Sequence, residues 1–290
     1  MDRAGARVLR HRAGTLALDP APPAGRASPL LMGVVNVTPD SFSDGGLHLA
    51  PADAVAGALR LAAEGAAILD IGGESSRPGH EAVTVEAEWA RVAPVLEVLA
   101  GRPGLPPLSI DTTKAAVARR ALAAGAAIVN DVWGFQRDPD LAAATAEAGA
   151  ACVLMHNRDR IVPEDDIVEV MLRFFEASLA IARRAGIAED AIVLDPGIGF
   201  GQSHAQNFSA IAGIGRLKAA FGLPVLVGAS RKSFIGRLFE PPPPPSERLP
   251  GTLAAHLAAA AQGAEILRVH DVAAHVQALR VAAAIARGGP

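Results

Sequence analysis

The sequence predicts one (β/α)8 barrel over residues 30–290, with residues 1–29 as a segment that packs on the barrel's bottom. Three observations carry this expectation. Short apolar runs recur eight times, each run is followed by a polar loop and an Ala-rich helical pattern, and no composition break divides the 290 residues. Alternating strands and helices argue for a parallel sheet, and eight such units reach this length as one undivided domain. A doubly wound open sheet is the alternative that the same alternation permits.

The strand candidates, in order, are Leu30–Val35, Ala67–Ile71, Pro107–Ile110, Ala127–Val129, Ala151–Met155, Ala191–Leu194, Pro224–Val227 and Glu265–Val269. They are too short for helices and lack strict alternation, as expected of strands buried on both faces. Helical patterns lie between them at Pro51–Glu64, Thr113–Ala124, Pro139–Ala148 and Asp166–Ala185. Gly65, Gly125, Gly149, Gly186 and Gly263 stand where helices should stop. The run Pro241–Pro245 cannot continue a helix and reads as an exposed extended loop.

Half of the residues are hydrophobic and a fifth are charged, which is enough to bury a large core. A net charge of −3 gives no reason to expect nucleic acid or an anionic membrane as a partner, so any anion must be recognised by a local site. The single cysteine, Cys152, lies in an apolar run and reads as a small strand residue. No apolar stretch has the length of a membrane span, and no signal core follows the N-terminal arginines. The cytoplasm is the default.

The residues just after each strand are polar at all eight junctions. Asn36 follows the first strand and Gly72-Gly73-Glu74-Ser75-Ser76-Arg77-Pro78-Gly79 the second. Asp111 closes the third, Asn130-Asp131 the fourth, and Met155-His156-Asn157 comes at the fifth. Asp195-Pro196-Gly197, Ser230-Arg231-Lys232 and Arg268-Val269-His270-Asp271 complete the series. In a parallel barrel these positions converge on one rim, where such folds place their chemistry. One short polar residue at one junction is explained as a helix cap; eight junctions supplying them together read as a site. Asn, Lys, Arg and His bind phosphate oxygens, and Asp111 and Asp195 accept hydrogen bonds from ring N–H groups, so a heterocycle carrying a phosphate suits the rim. No zinc spacing or Gly-x-Ser-x-Gly elbow is present, and Gly197-Ile198-Gly199-Phe200-Gly201 has the wrong spacing for a dinucleotide loop.

At these residues a family resemblance enters. Asn36-Val37-Thr38-Pro39-Asp40-Ser41-Phe42-Ser43-Asp44-Gly45-Gly46 and Asp70-Ile71-Gly72-Gly73-Glu74-Ser75-Ser76-Arg77-Pro78-Gly79 resemble the two long signatures of the dihydropteroate synthases. Asp111-Thr112, Asn130-Asp131, Asp195-Pro196-Gly197, Ser230-Arg231-Lys232-Ser233 and Arg268-Val269-His270-Asp271 fall in that family's order. Ser76 stands where many members have Thr, and Gln202 where Lys is frequent.

The resemblance implies condensation of 6-hydroxymethyl-7,8-dihydropterin pyrophosphate with p-aminobenzoate, giving 7,8-dihydropteroate for folate synthesis. It implies pterin binding by Asp111, Asn130, Asp195, Lys232 and Arg268. Pyrophosphate falls to Asn36, Arg77, Arg268 and His270, and p-aminobenzoate to Phe42, Ser76, Arg77, Pro78, Phe200, Lys232 and Ser233. Asp111, Lys232 and Arg77 are the implied catalytic groups. Asn36 would offer its carbonyl oxygen to Mg²⁺, the one implied cofactor. A homodimer through helices near the C-terminus is implied as well. His156 and Met155 either border the pterin pocket or pack in the core. His11, His48, His80, His204, His256, His275, Trp89 and Trp133 are assigned to packing. Three other readings stay open: a corrinoid-dependent pterin methyltransferase barrel, a non-catalytic pterin-binding paralogue, and a generic phosphate-binding barrel enzyme.

Overall fold

In a computed structural model, which describes residues 7–18, 28–38, 50–74 and 83–289, the eight apolar runs become one parallel sheet. A short antiparallel hairpin precedes it, β1 (Val8–His11) and β2 (Gly14–Ala17). The sheet contains β3 (Leu30–Asn36), β4 (Ile68–Gly72), β5 (Leu108–Asp111), β6 (Ile128–Asp131), β7 (Ala151–Met155), β8 (Ile192–Asp195), β9 (Leu226–Val227) and β10 (Ile266–Val269). Its order is β8-β7-β6-β5-β4-β3-β10-β9, and a parallel bridge between Leu194 and Val225 joins the two ends. The sheet therefore closes into a barrel, and the open-sheet alternative falls.

Burial on both faces explains the unbroken apolar runs. Every residue of β4, β6, β7 and β8 is buried, and Ile68, Leu69, Ile71, Ile110 and Ile128 are almost wholly removed from water. Each such side chain contributes roughly 1.5–3 kcal/mol by leaving water. Cys152 is buried among them as a free thiol. The strands run one or two residues further than the apolar runs, taking in Asn36, Gly72, Asp111, Asn130, Asp131 and Asp195. Backbone pairing does not stop where hydrophobicity stops, because the ladder needs only N–H and C=O groups.

The helices that cover the barrel are α1 (Ala50–Glu64), α2 (Val85–Leu99), α3 (Ala115–Ala123), α4 (Asp140–Glu147), α5 (Ile167–Ala185), α6 (His204–Ala212), α7 (Ile214–Phe221), α8 (Ser233–Gly236), α9 (Leu249–Ala261) and α10 (Val272–Arg287). Two of them start at side chains that satisfy free N–H groups on α5 and α6: Asp166 accepts from Val168, and Ser203 with Gln206 forms a reciprocal cap. α5 ends at Gly186, whose φ of +87° is the left-handed conformation that stops a helix at little cost to glycine. No helix among the described residues is long and apolar enough to cross a membrane.

The hairpin lies at the end of the barrel where strands begin. Arg10 pairs with Asp190 just before β8, Arg7 with Glu265 just before β10, and Arg12 donates to the Leu122 carbonyl near the end of α3. The proline run is mostly exposed, but it is not extended throughout. Pro245 opens a 3-10 turn, Pro245–Glu247, because proline's fixed φ suits a first helical position.

Candidate active site

Strand register brings the predicted polar residues into one layer. Asn36 pairs with Gly72, Gly72 with Asp111, and Asp111 with Asn130, so three candidate side chains leave neighbouring strands at one height. Asp195 ends β8 opposite Met155, Arg268 lies in β10, and Lys232 follows β9.

The centre of the rim is a charged network that crosses the barrel. Arg268 donates through Nε to Asp70 Oδ2 at 2.6 Å and through Nη2 to Asp111 Oδ2 at 2.7 Å. Asn130 Nδ2 donates to the same Asp70 oxygen at 3.0 Å. β4 is a sheet neighbour of neither β6 nor β10, so these bonds span the barrel's interior. Asp70 is 0% exposed, and such a carboxylate is stable only when its charge is met by donors.

Asp111 is pushed up to about 7, chiefly by burial; Arg268 opposes the shift, while the Asp70, Glu88 and Asp131 carboxylates reinforce it. It therefore titrates near neutrality. Lys232 is pushed down to about 8 by burial, with the Asp195 carboxylate opposing and the Arg268 guanidinium adding to the fall. Its Nζ donates to the Ile198 carbonyl and stands 4.6 Å above the Phe200 ring. Burial also raises the Asp195 carboxyl, against the pull of Lys232. One Asp195 oxygen accepts from Gly197 N–H at 2.8 Å. Gly197 must be glycine here: its φ is +66°, and a Cβ would lie 1.9 Å from the His156 carbonyl oxygen.

The described pyrophosphate candidates, Asn36, Arg268 and His270, stand at the ends of the paired strands β3 and β10. Asn36 is exposed, and His270 Nδ1 lies 2.9 Å from Ser230 Oγ. Burial, with Arg268 and Arg231 adding, lowers His270 to about 4, so its ring is neutral at physiological pH. Ser233 is exposed at the first turn of α8 and Phe200 half-buried in the loop after β8. Phe42, Ser76, Arg77 and Pro78 lie outside the described residues, as do His48 and His80. His156 is 0% exposed, edge-on to Phe174 at 5.0 Å, and its backbone N–H donates to the Asp195 carbonyl at 2.9 Å. Among the described residues, no group of three or more His, Cys, Asp or Glu could hold a metal ion.

Sequence reasoning misses three supports of the rim. It takes Asp70 only as part of a motif, although a carboxylate inside the apolar run Ile68–Ile71 is a signal of its own. Lys114 donates to Glu74 and to Glu88 (2.6 Å), and Glu74 accepts from Val83 N–H at 2.9 Å, tying residues 74 and 83 together. Arg158 donates to the Gly201 carbonyl (2.6 Å), to Asp165 (2.7 Å) and to Gln206 (3.0 Å), bracing the loop that holds Phe200.

Comparison with known proteins agrees with this geometry. The profile of a family described as "Pterin binding enzyme" matches residues 32–270. The dihydropteroate synthase of Escherichia coli (strain K12) is 45% identical over 259 residues, covering 87% of this chain and 90% of that one. A solved structure of Xanthomonas albilineans dihydropteroate synthase with 4-aminobenzoic acid superposes with a TM-score of 0.89 at 46% identity, over 97% of this chain and 99% of that one. The same enzyme in complex with 7,8-dihydropteroate gives a TM-score of 0.82 at 46% identity, over 94% and 96% of the two chains. Agreement of this extent in sequence, barrel and motif order has one consequence: the chain belongs to the dihydropteroate synthase family.

Proposed function

We infer that this rim joins 6-hydroxymethyl-7,8-dihydropterin pyrophosphate to p-aminobenzoate, releasing pyrophosphate and 7,8-dihydropteroate, the transferase reaction of its family. The observation that carries the assignment of roles is the gathering of Asp111, Asn130, Asp195, Lys232 and Arg268 from five strand ends onto one rim. In the reaction the bond between the pterin's exocyclic CH₂ and the pyrophosphate oxygen breaks. The arylamine nitrogen bonds to that carbon and loses a proton.

Asp195 and Asn130 are suited to the ring's amino and N–H edge, because a carboxylate and an amide together supply acceptors and donors in one plane. Lys232 donates to the ring's carbonyl and nitrogen. Its depressed pKa leaves it able to give up a proton near neutral pH. Asp111, ionised, offsets positive charge that develops as the leaving group departs. Arg268, tied to two carboxylates, is held as a fixed plane beside the ring and its phosphates. Asn36, His270 and Arg77 take the pyrophosphate. Phe42, Ser76, Arg77, Pro78, Phe200, Lys232 and Ser233 form the arylamine site.

Mg²⁺ fits only in part. Asn36 offers one hard oxygen, and with no acidic cluster among the described residues the remaining ligands would be phosphate oxygens and water. Bound there, the ion would neutralise charge on the leaving group. The pairing of two chains is a further proposal. A groove of about 460 Å³ on the outer face, lined by Phe208, Phe234, Ile235, Leu238, Phe239 and Ala255 among others, carries Leu238 and Phe239 at 59% and 56% exposure. Apolar side chains so exposed just after α8, beside Phe208 on α6, suit a second copy of the chain. The assignment of activity is tested by pyrophosphate release on mixing the two substrates with Mg²⁺. Release that does not depend on p-aminobenzoate would contradict it.

A further inference from the structure

A buried chain of hydrogen bonds runs beneath the rim, from the loop after β9 to the start of α10. The Ala229 N–H donates to His256 Nε2 at 2.9 Å. His256 Nδ1 lies 2.8 Å from His275 Nε2, and His275 Nδ1 lies 2.7 Å from the Asp271 carbonyl oxygen. Both rings are 1% exposed. The direction of every bond is fixed by the two ends, since a backbone N–H only donates and a carbonyl only accepts. His256 must accept at Nε2 and so carries its proton on Nδ1. It donates to His275 Nε2, and His275 in turn carries its proton on Nδ1. A second proton on either ring would set donor against donor. Burial, the largest influence on both rings, favours the neutral form.

The chain ends on groups that matter. Thr252 and His256 lie one turn apart on α9; the Thr252 hydroxyl accepts from Arg231 N–H at 2.9 Å while His256 takes Ala229. Asp271 and His275 are spaced the same way at the start of α10, and the Asp271 carboxylate clasps the Arg231 guanidinium through two nitrogens. Arg231 has a φ of +58°, a conformation unfavourable for a non-glycine residue and kept only where neighbours enforce it. Lys232 is the next residue. On the other side of Ala229, a Cβ built at Gly228 would lie 3.7 Å from Arg268 Cβ and 3.9 Å from Lys232 Nζ. The peptide that His256 holds is therefore flanked by the backbone on which Arg268 and Lys232 meet.

We propose that His256 and His275 are positioning residues for the condensation: a proton-ordered pair that sets the Lys232 loop against the Arg268–His270 strand end. The ring-binding and leaving-group halves of the site are thereby held in register. Two apolar side chains would fill the same space without the cost of burying four ring nitrogens. What they would lack is direction. The proposal rests on the roles assigned above to Lys232, Arg268 and His270.

The test has two arms on the full-length enzyme. Nitrogen-15 NMR of histidine-labelled protein at pH 7.5 should show both rings in the Nδ1–H tautomer; an Nε2–H ring at either position overturns the inference whatever the activity. In kinetics, His256→Leu and His275→Leu should lower kcat/KM for the pterin pyrophosphate by about tenfold or more, the usual consequence of a small displacement of binding groups. His256→Gln, whose amide oxygen can still accept from Ala229, should stay within roughly threefold of wild type. Unchanged kinetics in a folded leucine variant overturns the inference. If the leucine variants do not fold, His256→Gln must outperform the shorter His256→Asn, and equal rates overturn it. Inactivity of the wild type would instead overturn the reading of the site, so the two failures are distinct.

Discussion

Replacing Asp70 with asparagine separates charge from shape at the centre of the rim. The amide oxygen can take the place of Oδ2 and still accept from Arg268 Nε and Asn130 Nδ2. What is lost is one negative charge. Arg268 forgoes an attraction of about 4 kcal/mol, taking ~4 Å between charge centres and an effective dielectric near 20. Much of that loss is offset because a buried carboxylate no longer has to be desolvated, leaving a net destabilisation of about 1–3 kcal/mol. The informative effect falls on Asp111. Asp70 and Asp111 bond different nitrogens of one guanidinium, so their charges are on the order of 5 Å apart and repel by about 3 kcal/mol at the same dielectric. Removing that repulsion lowers the Asp111 pKa, and Arg268 then serves Asp111 alone. Since Asp111 titrates near 7, the acid limb of kcat/KM against pH should move down by about one to two units in Asp70→Asn. The assay is condensation rate from pH 5 to 9, with thermal unfolding as the check on folding. An acid limb that stays put, or moves up, in a folded variant would refute the assignment of that limb to Asp111.

Three further outcomes are expected from the same geometry. Asp195→Asn turns one acceptor into a donor facing the ring edge, so pterin affinity by calorimetry should fall about thirtyfold or more while Tm changes little; unchanged affinity would remove Asp195 from the pterin site. Mg²⁺ should bind the free protein weakly and much more tightly once pyrophosphate is present, because Asn36 alone is a poor magnesium ligand set; tight binding without pyrophosphate would contradict this. His156 is held near 4 by burial, with Arg158 adding, against 6.5 in the unfolded chain, so its contribution is present above pH 6.5 and lost as pH falls toward 4. Wild type should therefore lose about 2 kcal/mol between pH 7 and 5 through this ring, and His156→Leu should lose correspondingly less in denaturant titrations at the two pH values.

Most of the barrel was legible because its signals are local. A strand buried on both faces must be apolar throughout, and a helix must stop somewhere, so runs such as Ala151–Met155 and a stop such as Gly186 stand out in the chain. The polar strand ends were legible for the same reason. Their partners were not, because partnership is decided across the barrel. Nothing near Asp70 in sequence announces Arg268, 198 residues away, and nothing near His256 announces that its ring faces His275 on another helix. The hairpin Val8–Ala17 escaped notice because its strands are four residues each, too short for alternation or an apolar run to mark them.

The rim's charge balance gives Asp111 a role that Asp70 cannot share. Three carboxylates, Asp70, Asp111 and Asp195, face two cations, Arg268 and Lys232, so one acid proton is easily kept on this half of the site. Asp70 serves as the anchor of the network, one of its oxygens accepting from both Arg268 and Asn130. Asp111 is bonded by Arg268 and has three like charges around it, and its pKa near 7 marks it as the holder. A carboxyl poised there is neutral or ionised at small cost. In its ionised form it would supply the counter-charge for positive charge developing on a bound ring, and that form is lost as pH falls through about 7. A carboxylate attracts a charged transition state more than a neutral ring, which is the discrimination that catalysis needs. In this scheme burial, reinforced by the neighbouring Asp70 charge, holds Asp111 near neutrality, and the Asp70→Asn profile tests the share that Asp70 supplies.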